Sequence, residues 1–104
     1  MEKTKLEVKV KEKSLDVNGK RVNLDESFFD ARVINDISDN KDERALELRY
    51  REMEMDSLCD EAGKIDDFLT REGLTDRIDA YPCPDGEEYP TVALIGVYDV
   101  TIHR

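Results

Sequence analysis

The oxygen-bearing side chains of Asp36, Ser38, Asn40 and Asp42 fall at every second position, and Glu47 follows at position twelve counted from Asp36. That is the spacing by which a calcium loop wraps a hard cation in oxygen ligands. Two residues spoil the pattern. Lys41 stands at position six, where the sharp turn wants glycine, and Glu43 stands at position eight, where such a loop buries an aliphatic side chain. A metal- or ligand-binding domain built on a degenerate calcium-type loop at 36–47 is therefore an alternative reading. The leading one assigns no metal and no cofactor.

Other chemistry is scarce. Cys59 and Cys83 are the two cysteines and His103 the only histidine. Cys59 falls in the first turn of a predicted helix, where the dipole lowers a thiol pKa. Asp56, Asp60 and Glu61 oppose a thiolate there, so a small buried residue is the better expectation. Cys83, in Tyr81-Pro82-Cys83-Pro84, has no partner at CxxC spacing, and a 59–83 disulfide is disfavoured in a reducing compartment. A zinc site would need both cysteines, an acid and His103, at spacings unlike any zinc motif. Ser57 lacks the context of a nucleophile elbow and reads as a capping residue. Asp66 and Asp67 sit on a predicted helix flank and solvent face. A working pair of carboxylates needs an apolar pocket or a close second acid. No catalytic residue is named, and an enzyme is not expected.

Charge is the feature that stands out. The 104 residues hold 26 acids and 16 bases, for a net charge of −10. Residues 1–51 carry twelve of each sign, whereas 52–88 carry thirteen acids against Lys64, Arg71 and Arg77. The first thirteen residues lean the other way, with five lysines and three glutamates. An acidic excess excludes direct nucleic-acid binding, which needs a Lys/Arg surplus. It equally excludes docking on an anionic membrane. With no apolar leader at Met1–Val8 and no long apolar run, a soluble cytoplasmic chain is expected.

The acidic segment predicts a protein partner with a basic surface. The uncompensated acids are expected at the helix flanks: Glu52 and Glu54 before it, and Glu72, Asp76, Asp79, Asp85, Glu87 and Glu88 after it. On the helix, Asp60–Lys64 and Asp67–Arg71 are spaced i, i+4 and predict local pairing. The function that fits is a small acidic interaction module, an inhibitor or adaptor docking on a nucleic-acid-binding surface of its partner. Self-association as a homo-oligomer is a further class, with the lysine-rich first strand meeting a sheet edge or a second copy's acids.

The elements that must carry these residues follow from periodicity. Leu6, Val8 and Val10 alternate with lysines and Glu7, as in a half-buried strand with a protected edge. Asn18-Gly19 between apolar alternations marks a hairpin. A two-residue loop pairs Val17 with Lys20; a four-residue loop pairs Val17 with Val22 and matches apolar side chains better. The shift in apolar parity after Val10 predicts a turn or bulge within Lys11–Ser14. Residues 28–37 fit strand or helix, with strand preferred, and 46–50 alternate as a strand. Leu58, Ala62, Ile65 and Leu69 form one apolar stripe, predicting a helix over 56–72 capped by Asp56 and stopped by Gly73. A short strand is expected at 77–81, then a turn-rich loop. Val92–Ile102 reads as one central strand, apolar on both faces in its middle. The sum is a single α+β domain over 1–104: a mostly antiparallel sheet of five to six strands with one main helix on one face.

Overall fold

The computed structural model describes residues 4–74, 77–81 and 89–104. The α+β class is as expected, but among the described residues the strands number eight and divide into two four-stranded sheets. The first sheet holds β1 (Lys5–Lys9), β2 (Ser14–Val17), β3 (Lys20–Asn23) and β8 (Asp99–His103), in the order β3-β2-β1-β8. The second holds β4 (Phe28–Ile34), β5 (Glu43–Tyr50), β6 (Arg77–Tyr81) and β7 (Thr91–Val97), in the order β4-β5-β7-β6. All pairings are antiparallel except β1 with β8. One helix, α1 (Met55–Arg71), packs against β6 and β7.

The period-two alternation does its work in both sheets. Leu6, Val8, Leu15 and Val17 point inward from the first sheet, and Leu46, Leu48, Val92 and Leu94 from the second. Leu58, Ile65 and Leu69 of α1 join the same core. Burying apolar side chains of this size stabilises by about 1.5–3 kcal/mol each.

Four local expectations change. The β2–β3 hairpin uses the two-residue loop, with Val17 opposite Lys20 and Leu15 opposite Val22. Asn18 and Gly19 both take positive φ, 50° and 87°, a backbone twist that suits the twist of the flanking strands. Asn18 is further fixed because its Oδ1 accepts the Lys5 N–H at 3.0 Å while its own N–H donates to Lys5 O at 3.0 Å. Strand β1 is no edge: β2 and β8 pair on either side of it. The helix is capped at Glu54, with no side-chain cap bond, so neither Asp56 nor Ser57 is the cap. Finally, the C-terminal segment is two strands in two sheets. Between them Tyr98 is buried, its hydroxyl donating to Leu94 O. Arg44 fastens the crossing by donating to Tyr98 O at 2.6 Å and Asp99 Oδ1 at 3.2 Å.

The predicted turn after Val10 is present, with Lys13 at φ 53° and its N–H donating to Val10 O. Gly73 ends the helix at φ 80°, and the N–H groups of Gly73 and Leu74 close back on Thr70 O and Leu69 O. This is a Schellman stop, which glycine makes without strain.

Candidate functional site: the acidic face of the helix

Helix α1 buries Leu58, Ile65 and Leu69. The opposite stripe, at i, i+4, i+7 and i+11, is Asp56, Asp60, Gly63 and Asp67. Asp66 flanks it, and Glu52 and Glu54 extend it beyond the first turn. All six acids are exposed, and none forms an ion pair among the described residues. Seventeen helical residues span ~25 Å, so the acids lie along an extended strip.

The strip is uncompensated because the nearby cations are drawn elsewhere. Lys64 does not turn to Asp60. It pairs with Glu61 Oε1 at 2.7 Å and donates to Asn23 O at 2.6 Å. The guanidinium of Arg51, next to Glu52, lies over the Phe29 ring at 4.8 Å, and that of Arg71 over Phe68 at 5.9 Å. Gly63 sits mid-strip, with open space where a side chain would be.

Of the acids expected to form the partner surface, Glu52 and Glu54 stand exposed at the helix entrance, without an ion pair among the described residues. Glu72 is half-buried at the far end and paired with Lys20 at 3.1 Å. Asp79 points from the sheet face away from the helix, where it pairs with Arg77 at 3.5 Å and accepts the Tyr81 hydroxyl at 3.2 Å. Burial and the Asp79 carboxylate push the Tyr81 phenol above its ordinary value. Asp76, Cys83, Asp85, Glu87 and Glu88 lie outside the described residues.

The calcium-type loop does not close. Asp36, Ser38, Asn40 and Asp42 belong to the β4–β5 connection, where Asn40 Oδ1 accepts the Asp42 N–H at 3.0 Å. Glu47 stands in β5 opposite Arg32 and pairs with it. Among the described residues no three His, Cys, Asp or Glu gather where a metal ion would fit. Cys59 is exposed, not buried, because it falls to the flank of the apolar stripe. His103 is about half exposed, 3.6 Å from Glu7. Asp66 and Asp67 both face solvent, away from any apolar pocket.

One residue escaped the sequence reading. Glu61 is buried at 5% exposure inside the helix–sheet contact. Its carboxylate accepts the Tyr50 hydroxyl and the Asp25 N–H, each at 2.8 Å. Burial first, then the Glu61 charge, push the Tyr50 phenol far above its ordinary value. The sequence signal was an acid three residues after Leu58, at the margin of the apolar stripe.

Compared with family models, curated proteins and solved structures, the chain matches none of the three.

Proposed function

We propose that the chain is a non-enzymatic interaction module whose acidic helix face docks on a basic surface of a protein partner. An inhibitor or adaptor seated where that partner takes nucleic acid is the concrete form. The observation that carries the reading is the strip Glu52, Glu54, Asp56, Asp60, Asp66 and Asp67, exposed and without ion pairs among the described residues. Residues 52–67 hold seven acids and one base, and that base is turned in to Glu61.

A strip of one sign on a rigid helix steers an oppositely charged partner and fixes its orientation. It does so without the cost of reorganising a loop. The Debye length near ~8 Å at physiological salt makes such docking sensitive to ionic strength.

The test is capture from native lysate on the immobilised chain at low and high salt, beside a variant with Asp56, Asp60, Asp66 and Asp67 changed to Asn. A partner held at low salt, released at high salt and absent from the variant is the expected result. A partner held equally by both chains sinks the reading.

A further inference from the structure

On the far side of the second sheet from α1, the outward side chains form an apolar row. Ile34 of β4 lies opposite Ala45 of β5, and Ala45 lies opposite Ile95 of β7. Ala45 and Ala93 are small, and the sheet surface dips over them into an open groove of about 460 Å³. In the groove's lining Ile34 is 38% exposed and Tyr81 37%, and Val97, opposite Glu43 on the same face, is 56% exposed. Large apolar side chains left together on one face mark a contact surface more often than scattered ones do.

Among the described residues the charges on this face pair across it. Arg32 pairs with Glu47, Arg77 with Asp79, and Arg49 with Asp30. The rim keeps both signs within reach of solvent, Glu43 at the start of β5 and Arg77, whose side chain is 70% exposed, on β6. Counted over the described residues, the face is thus nearly neutral in a molecule of charge −10.

We infer that this sheet face is an isologous dimer surface whose occupant is a second copy of the chain. The charge distribution selects that occupant. Two copies at −10 repel unless they meet through a neutral face, and this one also offers the opposite signs that a two-fold contact needs for self-complementarity. Face-to-face pairing here turns both acidic helices outward. With layers ~10 Å apart, the helices stand three layers, about 30 Å, from each other. That is several Debye lengths at ~8 Å, so the pairing carries little helix–helix repulsion. The dimer presents two acidic faces in opposite directions. The inference rests on the sheet face alone and stands whether or not the helix has a foreign partner.

The test is mass by light scattering and sedimentation, from low micromolar to near-millimolar full-length chain. Ile34→Lys, Val97→Lys and Asp67→Lys are run beside the parent, each checked for folding by circular dichroism. The expected result is a rise toward twice the 12.0 kDa monomer mass. Ile34→Lys and Val97→Lys abolish the rise, and Asp67→Lys leaves it. A parent that stays monomeric throughout overturns the inference. So does a dimer that survives both sheet-face variants, or one lost on Asp67→Lys, which would place the contact on the helix.

Discussion

The Tyr50 hydroxyl donates to the Glu61 carboxylate at 2.8 Å in the buried seam between β5 and α1. The same carboxylate takes the Asp25 N–H and draws Lys64 inward. One buried acid thereby joins the helix to the chain after β3 and strips the outer helix face of its only central cation.

Removing the hydroxyl should therefore be costly. Tyr50→Phe leaves Glu61 short of a donor in a buried position, and hydrogen bonds to a charged group contribute about 1.5–3 kcal/mol. Urea unfolding should show a loss in that range at unchanged m-value. A loss below the error of the measurement would mean that water replaces the hydroxyl.

Two glycines should respond in opposite directions. Gly63 is helical, faces solvent and has open space around its missing side chain. Gly63→Ala should stabilise by about 1 kcal/mol, since glycine is that much poorer a helix former than alanine. Gly19 also has open space, but its φ is 87°, so Gly19→Ala should destabilise by about 1 kcal/mol through backbone strain alone. Thermal melts of the two variants give both signs in one experiment.

Acid should unfold the protein through particular carboxyls. Asp25 is held below its ordinary 3.8 chiefly by the Ser27 N–H, then by the Ser27 hydroxyl. For Asp30, burial pushes upward but is outweighed by the Arg104 hydrogen bond, the Ala31 backbone and the charges of Arg104 and Arg49. Both are lowered in the fold, so their stabilisation is present above the unfolded value of 3.8 and is lost as pH falls through the folded one. Melting temperature should drop in that acid window, and Asp30→Asn should flatten the drop. An unchanged slope in the variant would assign acid unfolding to other groups.

The sequence made most elements legible because apolar alternation and the Leu58–Leu69 stripe are strong signals. It could not reveal the division into two sheets. Val92, Leu94, Tyr98, Val100 and Ile102 keep one parity straight through the crossing, since the inward faces of both sheets serve one core. Nothing in the pattern breaks at Tyr98. The hairpin register follows the turn and not the side chains: pairing Val17 with Val22 would match apolar groups, whereas positive φ at Asn18 and Gly19 makes the two-residue loop that sets Val17 opposite Lys20.

The candidate surface was legible as a segment but not as a set of residues. Segment charge located it between 52 and 88. Ion pairing then removes Glu72 through Lys20, fifty-two residues away in the chain, and Asp79 through Arg77, two residues earlier on the same strand. Lys64 had Asp60 and Glu61 both within reach. The Asn23 carbonyl, on a strand forty-one residues earlier, joins Glu61 in holding it inward.

The most direct measurement compares association rates with the captured partner across a salt series for three chains. These are the parent, the Asp56/Asp60/Asp66/Asp67→Asn variant, and a Glu72→Gln/Asp79→Asn variant that neutralises paired acids. The account predicts that the helix variant slows association and flattens its salt dependence, while the paired-acid variant behaves like the parent. Equal salt slopes for the helix variant and the parent would contradict it.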